Sequence, residues 1–205
     1  MKDAEAFLSV LRERRSVRRF RDKTVKRDGL ECLIEAAIWA PSASNRQDWL
    51  FTVVTSAEVK RDMAEAVKRR WEAIIEANRG SGVIEEVEPY VAHFTDFVAA
   101  PAVVVVSAGA PDAVQRHLLG DAAAATVGSA TSAAMAAQNL MLAAHALGLG
   151  SCCMTGALAA RDELRQVLDL SRKHEIVCLI AVGWPDETPA APPRKPIAEI
   201  ARFVE

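Results

Sequence analysis

Arg14, Arg15, Ser16 and Arg18 are the first side chains in the sequence whose types and spacing can do chemistry together. They fall within residues 11–23, where seven of thirteen positions are Arg or Lys and two are acidic. Guanidiniums present planar, paired donors and Ser adds a short one, so two arginines and a hydroxyl can fork a phosphate. The same cations at a helix end also suit its dipole, and then they need no ligand. The residues alone leave both readings open.

Three further segments place polar or conformationally free residues between apolar runs. Residues 40–49, APSASNRQDW, set Ser42, Asn45, Gln47 and Asp48 between an apolar helix and an apolar strand. Such a junction lies at a sheet edge, where backbone and amide groups can face a planar heterocycle, or it is simply a polar turn. In residues 148–158, GLGSCCMTGAL, the glycines let a ring approach the backbone closely. Residues 193–196, PRKP, are basic and held extended by proline.

The elements that must position these segments follow from periodicity. Ala4, Phe7, Leu8 and Leu11 share one helical face. Leu30, Leu33, Ile34, Ala37 and Ile38 repeat the pattern in a second helix, which Pro41 ends at Ala40. Residues 49–56 read as a strand and 57–79 as a helix. After breaks at Gly80 and Gly82, residues 85–99 read as a further helical stretch. The run at 102–108, AVVVVSA, predicts a buried strand. A long helix is expected from about 113 or 121 to Leu147, stopped by Gly148. Residues 151–154 form a short extended piece, 159–169 a helix, and 175–183 the third clear strand. Beyond Gly183 the proline-rich composition predicts an extended tail, residues 183–205, on a single domain of residues 1–205. Helices outnumber strands without a βαβ repeat, which points to the α+β class.

Composition narrows the partners. The 205 residues suffice for one core and not for two ordinary domains. A net charge of -2 and a pI near 6.1 argue against a general nucleic-acid binder. Acids at the N-terminus point away from a secretion leader. Residues 122–144 hold too much Ala, Ser and Thr to drive membrane insertion, so a cytoplasmic protein with no membrane partner is expected. Cys32, Cys152, Cys153 and Cys178 have no CxxC spacing or disulfide framework and read as buried thiols in a reducing compartment. His93, His117, His145 and His174 lie too far apart for a metal set, and none is expected. There is no dinucleotide, P-loop, zinc-protease or nucleophile-elbow motif.

In order along the chain, Arg-Arg-Ser-x-Arg at 14–18, Ala-Pro-Ser-x-x-Asn-x-Gln-x-Trp at 40–49, Gly-Leu-Gly-Ser…Gly at 148–156 and the basic tail resemble the FMN-dependent nitroreductase family. The resemblance runs from Phe7 to about Ile200 and is weakest over residues 60–100. It implies an α+β sandwich with a central, mostly antiparallel sheet flanked by helices. It also implies a homodimer with one FMN in each of two interface sites. It assigns Arg14, Arg15 and Ser16 to the FMN phosphate, with Arg194 and Lys195 closing over it. Arg18 should lie near the pyrimidine edge, where a cation stabilises the charge that collects on reduction. Pro41, Ser42, Ala43, Asn45 and Gln47 of the other subunit should face the ring. The N–H groups of Thr155 and Gly156 should meet flavin N5 and O4.

One position departs from the pattern. Asp48 stands where the family usually has Pro before Trp, adding a negative charge at the site's edge. Ala124, Gly128 and Ser132 recur every four residues, which by itself suits intramolecular packing and by the resemblance suits a dimer seam. Trp71, Tyr90, Phe94 and Phe97 are candidates to shape a substrate pocket, and equally to fill a core.

The implied function is an oxidoreductase in which NAD(P)H and then a small acceptor, a nitroaromatic or quinone, use the flavin in turn. That gives ping-pong kinetics with no catalytic side-chain nucleophile or acid. Dehalogenation, ene reduction or flavin degradation on the same scaffold is the alternative. A non-catalytic module binding nucleic acid would interleave stacking residues with the cations, and only Phe20 does so.

Overall fold

The structure, a computed structural model, describes residues 2–111, 113–120 and 128–205. Its helices are α1 (Lys2–Glu13), α2 (Arg27–Ile38), α3 (Ala57–Ala77), α4 (Val83–Val91), α5 (Ala113–Leu119), α6 (Ser129–Ala146), α7 (Arg161–Val167) and α8 (Ile197–Ile200). The strands are β1 (Trp49–Val54), β2 (Ala102–Gly109), β3 (Gly150–Met154) and β4 (His174–Gly183). They form one sheet in the order β1-β2-β4-β3, and every neighbouring pair is antiparallel. The α+β class is as the element order predicts, and the helix-flanked antiparallel sheet is as the family resemblance implies.

Helices cover both faces of that sheet, which explains why β2 is buried along nearly its whole length and, Ser107 apart, does not alternate with polar residues. Val104 and Val106 pack with Leu33 and Ala37 of α2 and Ala136 and Leu140 of α6. Val103 and Val105 face the other way, onto Met63 and Val67 of α3 and Leu164 of α7. Each fully buried Leu or Val contributes about 1.5–3 kcal/mol. The many alanines on the inner side of α6 let it lie close to α2 and the sheet.

Several boundaries differ from the expectation. Residues 150–154 are a full edge strand, longer than the expected piece. The long helix begins at Ser129; a separate helix, α5, ends before Gly120, whose φ of 75° suits glycine. The alternative start at residue 121 and Ala124 of the four-residue repeat lie outside the described residues. Gly148 stops α6 as predicted, at φ 74°, with its N–H on the His145 carbonyl and that of Leu149 on Ala144. The 85–99 stretch divides into α4 and a 3-10 helix over Ala92–Ala99. The 159–169 helix likewise divides into a 3-10 turn, Gly156–Ala160, and α7. The tail is extended apart from the short α8, and its Ile197, Ile200, Phe203 and Val204 are exposed. Among the described residues the outer edge of β1 pairs with no strand. No described helix is long and apolar enough to cross a membrane.

Candidate active site

The arginine segment is positioned by backbone pairing. Ser16 bridges Ser151 in parallel, and Val17 donates its N–H to the Ser151 carbonyl at 3.0 Å. Gly150 permits this closeness, because a Cβ there would stand 2.8 Å from the Val17 side chain. Arg14, Arg15, His145 and Ser151 line a cleft of about 270 Å³ against the start of the tail, and its wall also holds the carboxylates of Glu13 and Glu187. Arg15 turns part of its guanidinium to α1, donating to the carbonyls of Arg12 at 2.7 Å and Arg14 at 2.9 Å. Arg14 has no such engagement among the hydrogen bonds of the described residues.

Arg18 stands at a second, adjoining cleft of about 490 Å³, together with Tyr90, His93, Phe94 and residues 152–156. Phe94 packs against Trp71 at a tilt of 41° with ring centroids 5.0 Å apart, and Trp71 Nε1 donates to the Gly156 carbonyl at 2.9 Å. A Cβ at Gly156 would meet the Phe94 ring at 2.2 Å, so only glycine allows this wall. Thr155 and Gly156 open the 3-10 turn, whose first N–H groups have no partner within it. Of the four aromatics singled out in the sequence, Tyr90 and Phe94 line the cleft, Trp71 backs it, and Phe97 is wholly core.

Residues 41–48 form a separate, exposed feature. Ser44, Asn45 and Gln47 all have positive φ, 52°, 54° and 49°. Asn enters this region readily, but Ser and Gln do not, and such strain collects at functional loops. The turn is held from inside. Ser42 Oγ accepts the Gln47 N–H at 3.2 Å, Gln47 Nε2 donates to Asn45 Oδ1 at 3.0 Å, and Ser132 Oγ accepts the Ala43 N–H at 3.2 Å. Asp48 is turned inward: it accepts from Ser129 Oγ at 2.6 Å and lies 3.2 Å from Arg46 Nη2. Its charge is therefore neutralised and directed at the start of α6.

The chain brings some expected residues together and not others. Ser16 bridges β3, Arg14 and Arg15 share a cleft with Ser151, and Arg18 shares one with Thr155 and Gly156. Pro41, Ser42, Ala43, Asn45 and Gln47 stand elsewhere, at the N-terminal end of α6. Arg194 and Lys195 are on the exposed tail and line neither cleft. A larger cleft of about 700 Å³, between α2 and the end of β1, holds none of these residues and has mostly apolar walls.

The sequence reading missed two features. Cys152 and Cys178 are buried as expected, but Cys32 and Cys153 are exposed, correcting the expectation of four buried thiols. Cys32 falls on the outer side of α2, and β3 is an edge strand. The Cys178 S–H donates to Cys153 and pulls its thiol down to about 7, Arg14 adding to the effect, while the same bond, with burial, pushes Cys178 up. Glu187 was the second omission. Backbone N–H groups, that of Arg18 foremost, hold its carboxyl below the usual range. Nothing local in the sequence marks it, since its partners are some 169 positions away.

Comparison with known proteins decides the family. The profile of the nitroreductase family matches residues 11–184. The chain belongs to the nitroreductase family. Within this family, an NADH dehydrogenase of Thermus thermophilus is 32% identical over 194 residues, 92% of this chain and 91% of its own. A 4-nitrobenzoate reductase of Nocardioides sp. is 26% identical over 215 residues, 89% of this chain and 81% of its own. A BluB-like flavoprotein from Clostridium difficile 630 shares the fold at a TM-score of 0.84 and 25% identity, covering 97% of this chain and 98% of its own.

Proposed function

We propose that this nitroreductase-family chain is an FMN-dependent oxidoreductase that takes electrons from NAD(P)H and passes them to a small aromatic acceptor such as a nitroaromatic or quinone. Family membership supports the flavin, and the dehydrogenase and nitrobenzoate reductase relatives support the donor and acceptor classes. One observation carries the reading. The Ser16–Ser151 bridge sets residues 14–18 beside β3, so that Arg14 lines one cleft with Ser151 and Arg18 lines the next with residues 152–156.

That arrangement fits a flavin monophosphate. The arginine cleft matches a terminal phosphate, the neighbouring cleft a planar ring, and the chain has no motif for an adenine half. When bound, FMN supplies hydride transfer, and the protein supplies orientation and charge. Arg14 and Ser16 hold the phosphate with Arg15 beside them. Arg18 presents positive charge to the pyrimidine edge, where negative charge collects on reduction. Thr155 and Gly156 offer N–H groups to N5 and O4. Phe94, braced by Trp71, excludes water from one wall.

A second copy completes the site. Ser132, which holds the Asn45 loop, and His145, in the arginine cleft, are thirteen positions apart on α6, about 20 Å along its axis. β1 and β3 are also opposite edges of the sheet, three spacings or ~14 Å apart. Residues 41–47 of one chain therefore cannot face the ring that its own Gly156 contacts. In a homodimer they face the partner's flavin, and Arg194 and Lys195 close over a phosphate once the exposed tail is packed.

Purified protein should be yellow and release FMN. With a nitroaromatic or quinone acceptor, steady-state data should give parallel double-reciprocal lines, because donor and acceptor use one cleft in succession. Intersecting lines, with a ternary complex trapped by a dead-end nicotinamide analogue, would overturn the shared-cleft mechanism.

A further inference from the structure

The backbone of residues 16–21 changes partner halfway along. Ser16 bridges Ser151 of β3 in parallel, whereas Phe20 bridges Pro185, just past β4, in antiparallel. Val17 donates to the Ser151 carbonyl at 3.0 Å, and Arg21 donates to the Trp184 carbonyl at 2.9 Å. Between them the segment leaves one strand before it reaches the other. At this crossing the N–H groups of Arg18 and Arg19 both donate to Glu187 Oε1, at 2.5 and 3.0 Å. The Asp186 N–H returns a bond to the Arg19 carbonyl at 3.0 Å, and Glu187 Oε2 lies 3.9 Å from Arg19 Nε.

Backbone donors must find partners, and hydrogen bonds to a charged acceptor are about twice as strong as neutral ones. One carboxylate from the tail thus does for two adjacent peptides what a strand does elsewhere. The peptide it fixes is the one carrying the Arg18 side chain to its cleft.

We propose that Glu187 is the positioning residue for Arg18, holding the backbone so that the guanidinium stays at the flavin's pyrimidine edge. This rests on the reading that Arg18 stabilises the reduced cofactor. Glu187 then acts on the flavin in two opposed ways. Its own negative charge disfavours a negatively charged reduced ring, and its grip on Arg18 favours one. The sign of a measured shift separates the two.

The test is the reduction potential of the FMN-loaded protein, with hydrogen exchange at the Arg18 and Arg19 amides as a readout independent of turnover. Arg18→Ala should lower the potential. Glu187→Ala should also lower it, by more than half as much, and should speed exchange at both amides. The double variant should fall no further than Arg18→Ala alone. Glu187→Gln, whose amide oxygen can accept the same two bonds without the charge, should keep slow exchange and a potential at or above that of the native protein. A rise in Glu187→Ala, the sign for simple loss of an anion, overturns the proposal. So does an unchanged potential there while Arg18→Ala falls, and the reading of Arg18 then survives. An unchanged potential in Arg18→Ala with FMN bound overturns both. Should Glu187→Ala not fold, Glu187→Asp keeps the charge but draws it back by one methylene: a fall supports the proposal, and no fall overturns it.

Discussion

The carboxylate of Asp48 accepts the hydroxyl proton of Ser129 at 2.6 Å, tying the turn before β1 to the first residue of α6. An anion at a helix N-terminus is favourable, and Arg46 at 3.2 Å shares the charge. Asp48→Ala should therefore cost about 1.5–3 kcal/mol of stability, the range for a hydrogen bond to a charged group. Asp48→Pro, which installs the residue usual in the family, removes the same tie and should lower the urea midpoint as well. Midpoints equal to the native value would show that the tie contributes nothing.

Arg14 and Arg15 are neighbours with unequal tasks. Arg15 already serves two backbone carbonyls, those of Arg12 and Arg14, whereas Arg14 faces its cleft. Arg14→Ala should weaken FMN binding by about 1.5–3 kcal/mol, measured by flavin fluorescence quenching on titration into apoprotein. Arg194→Ala should have a similar effect, and Arg15→Ala a smaller one. Far-UV circular dichroism should not change in any of them.

The lowered Cys153 thiol predicts a specific pH dependence. A depressed pKa means more thiolate at neutral pH, so alkylation of Cys153 in the apoprotein should reach half its limiting rate near pH 7. Cys178→Ala removes the S–H donor and should move that midpoint upward. Peptide mass spectrometry after timed labelling reads both values.

Gly156→Ala should damage the second cleft without touching a cation. The added Cβ would meet the Phe94 ring at 2.2 Å, so either the ring or the turn must shift. Overpacking of this kind costs about 1–3 kcal/mol. KM for an aromatic acceptor should rise, and near-ultraviolet circular dichroism should report the disturbed Trp71–Phe94 pair.

Much of this site was legible before the fold was known, for identifiable reasons. The cations of residues 14–18, the Asn45 turn and the Gly156 turn are local in sequence, so the segments stand out, and the family resemblance then gave them a ligand. Local signals also placed β1, β2, β4 and the stop at Gly148. What escaped depends on contacts between distant positions. The two bonds to Glu187 join residues about 170 apart, and the exposure of Cys153 follows from β3 lying at a sheet edge. Asp48 looked like a charge left at the rim because its partner, Ser129, opens a helix 81 positions later. The stop of α5 before Gly120 was left open because the residues on both sides of it suit a helix by propensity.

In the proposed dimer, the distance along α6 between the Asn45 loop and the arginine cleft also makes cofactor retention a matter of concentration. A lone chain would then offer FMN a phosphate grip and one side of a ring site, with the remainder supplied by the second copy. Flavin capture and subunit association then stabilise each other by mass action. Dilution should bleach the protein as it dissociates, and free FMN should hold dimers together at concentrations where the apoprotein falls apart.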